Sequence, residues 1–258
     1  MNQARAGMAQ SLTDQGDWLF RYRGQAPIPV LFGLVFMGLA VGPSPWGSFQ
    51  TEPWELFGTL LALLGVAIRA FAIGHALPGT SGGNTDKQIA ESLNTDGLYS
   101  VVRHPLYLGN LAMWVGVGLY AGSWPTALVA GLIFGLMYER IMMAEERFLL
   151  DEFGQRFANW AERTPAFFPA LPQWEPPAAP FSVRRVLRRE YSSVLSLVLA
   201  VTVVEVAQNV RWGYGAVPDP GWAALPMLVL FACLTIRTLK KSSNLLDLDG
   251  DDSGANGT

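Results

Sequence analysis

The sequence Gly97-Leu-Tyr-Ser-Val-Val-Arg-His-Pro-Leu-Tyr-Leu-Gly-Asn110 leads from a cationic and aromatic cluster directly into an apolar run. Arg103 and His104 precede Pro105, and no charged residue follows until Glu139. Proline is favoured at the first helical position, so a membrane helix is predicted to begin at Pro105 with His104 near its N-cap. A helix start has free N–H groups and a positive dipole end. With Arg103 beside it, this place is suited to a carboxylate or a phosphate.

The composition of the whole chain indicates a membrane protein. Of its 258 residues, 50% are hydrophobic and only 15% are charged. In soluble domains about a quarter of the residues are charged. A lone cysteine, Cys233, excludes a disulfide within the chain. Two histidines and one cysteine argue against a structural zinc site. We therefore predict no metal, and we expect no nucleic-acid partner.

Apolar runs predict the fold class, an all-α polytopic membrane helix bundle with about six transmembrane helices and a cytosolic amphipathic helix. Each run is near the ~20 residues needed to cross a bilayer. The predicted spans are 27–42, 54–74, 105–121, 124–143, 193–210 and 222–238. Only Gly122-Ser-Trp-Pro125 separates the third span from the fourth, which predicts a tight helical hairpin. Gly131 and Gly135 fit a helix-packing motif.

The distribution of Lys and Arg predicts the orientation. With the N-terminus inside, nearly all of these residues lie in or near inner segments, and the outer loops hold only Arg211. We predict an integral protein of the inner (plasma) membrane of a bacterium or its equivalent, with both termini cytosolic.

Proline and charge patterns divide the chain into five segments. Arg184-Arg-Val-Leu-Arg-Arg189 is expected to lie among anionic head groups. The predicted segments are a cytosolic leader (1–26), a four-helix membrane core with the cytosolic amphipathic helix (27–170), a proline- and arginine-rich linker (171–192), two additional transmembrane helices (193–240) and a disordered acidic tail (241–258).

Two groups of side chains at the inner face are predicted to form one site. Arg103 and His104 begin the third helix, and Glu145 and Glu146 follow the fourth. Since the short hairpin makes these helices antiparallel neighbours, the two groups lie close in space. Taken singly, each has a structural reading: the cationic and aromatic residues anchor the chain at head groups, and the carboxylates belong to a solvated helix extension. Together they suit a zwitterionic cofactor and a lipid substrate.

An intramembrane arginine is a second candidate. Arg69 lies near the inner end of the second span. A charged residue within a span is a functional hypothesis by default, although snorkelling to the interface explains this one equally well.

Arg103-His-Pro-Leu-Tyr-Leu-Gly109, followed by Glu145-Glu146, resembles the signature of the isoprenylcysteine carboxyl methyltransferase and phospholipid methyltransferase superfamily. Residues 153–169, rich in aromatics and ending in Phe-Phe-Pro, are similar to that family, as is Gly65 with Arg69. The resemblance covers roughly residues 55–170 and leaves the last two spans outside it.

The resemblance implies S-adenosylmethionine as the cofactor. The residues that it assigns to cofactor binding are His104, Tyr107, Leu108, Glu145, Glu146, Tyr99 and Gly97. In it the two glutamates hold the ribose hydroxyls or the amino group, and Arg103 positions the segment or a carboxylate.

Methyl transfer to a lipid or lipidated acceptor at the cytosolic face is the function implied. An anionic acceptor needs no general base, and Arg69 and Arg103 would orient it. An amine acceptor would instead need a base such as Glu139 or Glu146. The acceptor (carboxylate, phosphate or amine) and the oligomeric state stay open.

Two alternatives belong to other functional classes. One is an NADPH-dependent membrane reductase, although the chain has no glycine-rich phosphate fingerprint after a strand. The other is a small transporter or scaffold, but neither a repeat nor a charge near the bilayer midplane is found.

Overall fold

The computed structural model describes residues 2–41, 51–77, 80, 90–121, 124–213, 215 and 220–242. The predicted acidic tail lies outside this part from residue 243 onward. Helices account for the architecture of the described residues, which have no strand beyond two isolated bridges. The helices are α1 (Asn2–Tyr22), α2 (Pro27–Val41), α3 (Thr51–His75), α4 (Leu98–Val101), α5 (Pro105–Tyr120), α6 (Trp124–Phe153), α7 (Gln155–Arg163), α8 (Val183–Trp212) and α9 (Pro220–Ser242).

The fold class is confirmed as an all-α membrane helix bundle, with a different number of full-length spans. Among the described residues, four helical segments are long and apolar enough to cross a membrane: Pro53–His75, Trp124–Phe153, Val183–Arg211 and Ala223–Lys240. The other two predicted spans form the shorter helices α2 and α5, of 15 and 16 residues. At 1.5 Å per residue α5 rises about 24 Å, less than a hydrocarbon core of ~30 Å.

Small residues bring α3 and α5 into close contact. A Cβ atom on Gly65 would collide with the carbonyl oxygen of Gly109, and one on Gly116 would lie 2.6 Å from that of Gly58. α5 therefore runs antiparallel to α3 over its whole length. The motif at Gly131 and Gly135 does not mark such a close approach. A Cβ on Gly131 would meet Val115 of α5 at an ordinary contact distance of 3.4 Å, and one on Gly135 would meet nothing within 4 Å.

The predicted leader is helical and packs on the C-terminal half of α6. Phe20 is buried in the main core, and Gly16 lies against the backbone of Arg140. An ion pair of 2.7 Å joins Asp17 to Arg147. The N-terminal segment is thus part of the bundle.

The predicted amphipathic segment is divided between the end of α6 and a separate short helix, α7. α6 continues unbroken to Phe153, and Gly154, with φ of +52°, turns the chain into α7. Positive φ is readily adopted by glycine and rarely by other residues. α7 buries Phe157 and Trp160 against Leu93. Leu93 and Trp160 of this cluster line the cavity described below.

The arginine-rich segment begins α8 at Val183, well before the predicted span at 193, and part of it turns inward. Arg185 is only 9% exposed and donates to the carbonyl oxygens of Gly74 and Ala76. A cation there stabilises the negative end of α3. The prediction that the whole segment lies among head groups was therefore wrong for Arg185.

Candidate functional site

A tight turn positions the chain ahead of α5. Gly97, with φ of +56°, is the N-cap of α4, and its N–H donates to the carbonyl of Glu175 at 3.0 Å. The hydroxyl of Ser100 donates to Gly97 O (2.7 Å) and accepts from the N–H of Glu175 (2.9 Å). Gly97 thus ties the turn to the proline-rich segment and does not itself line the cavity described below.

Arg103 is held by α7 and by the residues that follow it. Its backbone N–H donates to Pro165 O at 2.9 Å, and its guanidinium donates to Ala161 O at 2.6 Å. Its Nε atom lies 2.9 Å from Oε1 of Glu146, and the two side chains form an ion pair. Arg103 therefore ties the residues ahead of α5 to the acidic pair on α6.

His104 lies between the two carboxylates. It is the N-cap of α5, Pro105 follows at the first helical position, and the side chain is 6% exposed. Its Nε2 is 2.9 Å from Glu146 Oε1, and its Nδ1 is 3.5 Å from Glu145 Oε2. The predicted proximity of the two groups is confirmed. One imidazole thus bridges the start of α5 and the C-terminal part of α6.

The charges around His104 favour its protonated form. Burial by itself would lower the pKa of His104, but hydrogen bonds to Glu145 and Glu146 and their negative charges outweigh burial and raise the pKa above its usual 6.5. The imidazolium can then donate from both nitrogens. Burial, and secondarily the Glu145 carboxylate, raises the pKa of Tyr99 to about 12, which keeps its hydroxyl neutral.

Aromatic rings continue from His104 into the bundle. The Tyr107 hydroxyl donates to Glu145 Oε1 at 2.8 Å, and its ring stacks on Tyr138 with centroids 5.1 Å apart. Phe134 and Trp114 extend the stack between α5 and α6, with centroids 4.9 Å apart. The aromatic core therefore supports the residues that orient Glu145.

A cavity of about 560 Å³ opens beside this cluster. Its size falls in the range typical of small-molecule sites, ~300–1,000 Å³. Six of the predicted site residues line it: Arg69, Tyr99, Arg103, His104, Tyr107 and Glu145. Three do not: Glu146 supports the cavity wall from behind through His104 and Arg103, and Leu108 and Gly97 lie outside the lining. Trp160 and Leu149 contribute the wall from α7 and α6.

Arg69 is engaged by a residue that the sequence analysis did not select. Its guanidinium forms a two-point ion pair with Glu190 of α8, with Nε at 2.9 Å from Oε2. It also donates to Asn110 Oδ1 (2.7 Å) and Ser193 Oγ (3.1 Å). Arg69 therefore does not snorkel to the head groups. The sequence did contain a signal for Glu190, because it is an acidic residue that directly follows two arginines and precedes an apolar run.

Glu139 is separate from this site. Its side chain is 57% exposed and pairs with the adjacent Arg140 at 2.6 Å. It is absent from the cavity lining. The interpretation of Glu139 as a base in the site therefore has no geometric support, because its side chain leaves α6 on a different face.

The comparisons with known proteins agree with this architecture. Residues 54–156 match the family model for phospholipid methyltransferase. The chain is 35% identical to the cobalt-zinc-cadmium resistance protein CzcN of Cupriavidus metallidurans, over 64% of this chain and 71% of CzcN. It is 30% identical to the nickel-cobalt-cadmium resistance protein NccN of Alcaligenes xylosoxydans, over 71% of this chain and 83% of NccN.

A third relative connects the chain to enzymes of defined activity. Protein-S-isoprenylcysteine O-methyltransferase of Schizosaccharomyces pombe is 29% identical over 31% of this chain and 34% of the enzyme. No solved structure matches. The chain belongs to the family of CzcN and NccN, within the isoprenylcysteine and phospholipid methyltransferase superfamily of integral membrane methyltransferases.

Proposed function

We propose that this protein transfers a methyl group from S-adenosylmethionine to a lipid or lipidated acceptor at the cytosolic face of the membrane. The supporting observation is the cluster of His104 with Glu145 and Glu146, on the wall of a cavity large enough for the cofactor. The same residues carry the resemblance to the superfamily. The orientation rests on the Lys and Arg distribution, which favours the side that holds this cluster.

The residues present fit the cofactor. The guanidinium of Arg103 lines the cavity, and a guanidinium suits a carboxylate. Glu145, oriented by Tyr107 and His104, suits an ammonium group or ribose hydroxyls. Tyr99 and Trp160 also line the cavity, and aromatic rings of this kind attract a cation. When bound, S-adenosylmethionine supplies a methyl group on a positively charged sulfur.

The protein's own contribution is positioning. Methyl transfer needs the acceptor atom, the methyl carbon and the sulfur in line, and holding them so lowers the barrier mainly through entropy. His104 and the stacked Tyr107 keep Glu145 in one orientation. An anionic acceptor attacks without losing a proton. An amine acceptor would need a base, yet Glu146 is already engaged by His104 and Arg103, which favours the anionic case.

Calorimetric titration of the purified protein in nanodiscs with S-adenosylmethionine tests the proposal. We expect binding, and we expect His104→Ala and Glu146→Ala each to weaken it by about tenfold or more, since charge-assisted hydrogen bonds are lost. Glu152→Ala is the matched control, because Glu152 is exposed on the same helix. Absence of binding by the folded wild type would refute the proposal. Binding of NADPH instead would favour the reductase alternative.

We further propose a physiological setting in metal resistance, because two similar relatives carry that name. The described residues contain no group of three or more His, Cys, Asp or Glu side chains that could hold a metal ion. Methylation of a membrane component is the contribution we propose. A deletion strain challenged with cobalt, nickel or cadmium tests this: wild type restores growth and His104→Ala does not. Equal restoration by both would separate resistance from methyl transfer.

A further inference from the structure

The cavity has a second wall, formed by the last two long helices. Arg188, Arg189, Ser192, Ser193 and Ser196 of α8 and Lys240 of α9 line it. The α8 positions recur at helical spacing and so share one face of that helix. Both helices lie outside residues 54–156, which match the family model. This wall is therefore an addition to the shared core.

Buried polar contacts fix the direction in which that face points. The ion pair of Glu190 with Arg69 joins α8 to α3, with side chains 4% and 11% exposed. Arg185 holds the start of α8 on the last carbonyls of α3. Arg189 donates to Thr80 O at 3.1 Å. Rotation of α8 would break these contacts, so its arginines and serines are held toward the cavity.

The charge of the lining favours an anionic second substrate. Among the described lining residues, Glu145 is the sole carboxylate, against six arginine and lysine side chains: Arg23, Arg69, Arg103, Arg188, Arg189 and Lys240. Glu190 pairs with Arg69 and Glu146 pairs with Arg103 from behind the wall. S-adenosylmethionine itself is a net cation. An acceptor with a negative charge would therefore complement both the wall and the bound cofactor.

We propose that Arg188 and Arg189 form an acceptor subsite for the anionic oxygen group, carboxylate or phosphate, of a lipid. This proposal rests on the proposed function. Two arginines one residue apart present several N–H donors to such a group, and the hydroxyls of Ser192 and Ser196 can add theirs.

Methyl transfer to an anionic oxygen in this subsite requires no general base. An anionic oxygen of the acceptor forms a bond to the methyl carbon as the carbon–sulfur bond breaks, and the electron pair of that bond stays on sulfur. The sulfonium and the anionic oxygen both become neutral, and no proton moves. The methylated oxygen attracts Arg188 and Arg189 less than the anion did, so the charge change favours product release.

Binding of four probes with one hydrocarbon chain tests the subsite: oleate, oleyl phosphate, oleylamine and oleyl alcohol. The protein is held in phosphatidylcholine nanodiscs with S-adenosylmethionine. We expect oleate or oleyl phosphate to bind about tenfold or more tightly than the alcohol and the amine. The stronger of the two anions identifies carboxylate or phosphate as the acceptor group. Equal binding of all four probes, or preference for the amine, would overturn the proposal.

Variants assign the effect to the two arginines. In Arg188→Gln/Arg189→Gln the preference for anions should disappear, whereas Arg188→Lys/Arg189→Lys should keep most of it. Arg184→Gln removes an exposed charge outside the cavity lining and should change nothing. An unchanged preference in a folded Gln variant would overturn the proposal. Affinity for S-adenosylmethionine is measured in each sample, and its absence in the wild type would instead refute the proposed function.

Discussion

Glu190→Ala is expected to destabilise the bundle strongly, although Glu190 lies outside residues 54–156, which match the family model. The substitution removes the carboxylate that pairs with Arg69 across α3 and α8. Arg69 would keep its positive charge, and with its side chain only 11% exposed it has little access to water. A buried charge without its counter-charge is more costly than the absence of both.

The structure indicates the size of the effect. Removing one member of a buried pair costs roughly 3–5 kcal/mol of unfolding free energy. Arg69 would retain its hydrogen bonds to Asn110 (2.7 Å) and Ser193 (3.1 Å), so we expect the lower end, about 3 kcal/mol. For a chain of this size that corresponds to a melting temperature lower by about 6–12 °C.

Thermal unfolding in detergent, followed by tryptophan fluorescence, measures this change. Arg69→Met/Glu190→Leu removes both charges and should recover most of the loss, within about 1 kcal/mol of wild type. Glu139→Ala is the control for an exposed ion pair, with an expected change below about 1 kcal/mol. A melting temperature of Glu190→Ala within about 2 °C of wild type, together with no recovery in the double variant, would refute the reasoning.

Three further predictions concern packing, pH and the turn. Gly65→Ala should lower the unfolding free energy by roughly 1–3 kcal/mol through overpacking, because its Cβ would collide with the backbone of α5. Gly135→Ala should be neutral or slightly stabilising, since its Cβ would meet nothing within 4 Å. Equal melting temperatures of the two variants would contradict this prediction. His104, with its raised pKa, should contribute stability that is complete below pH 6.5 and is lost as pH rises through the folded-state pKa. His104→Asn should flatten this part of the pH–melting profile, and an unchanged slope would contradict it. Gly97→Ala, at φ of +56°, should cost roughly 1–2 kcal/mol in denaturation assays, and a neutral result would show that the turn relaxes.

Local sequence was enough to predict the helices and the first half of the site. Pro105 marked the start of α5, and His104 is its N-cap as predicted. The short connection before Trp124 made α5 and α6 neighbours, which brought His104 to Glu146. These inferences succeeded because helix starts and hairpin geometry depend on residues close in the sequence.

Contacts between distant segments were beyond such reasoning. Glu190 meets Arg69 across 121 positions of sequence, and nothing local to either residue names the other. The packing glycines are a similar case, since Gly131 and Gly135 have the favoured spacing and yet Gly65 and Gly109 make the contact. Spacing tells which residues share a helix face, but only the assembled bundle determines which face meets a neighbour.

The sequence therefore predicted that Arg103 and His104 lie close to Glu145 and Glu146. Two consecutive membrane spans joined by a short loop run antiparallel, and this brings the start of one to the end of the other. The second wall of the cavity depended on how α8 packs. From the sequence, the arginines of α8 were predicted to anchor the chain at head groups, because they precede an apolar run. In the structure, a buried ion pair and hydrogen bonds to α3 orient α8 so that Arg188 and Arg189 line the cavity. That rotation is set by tertiary contacts, and it is the basis of the acceptor subsite.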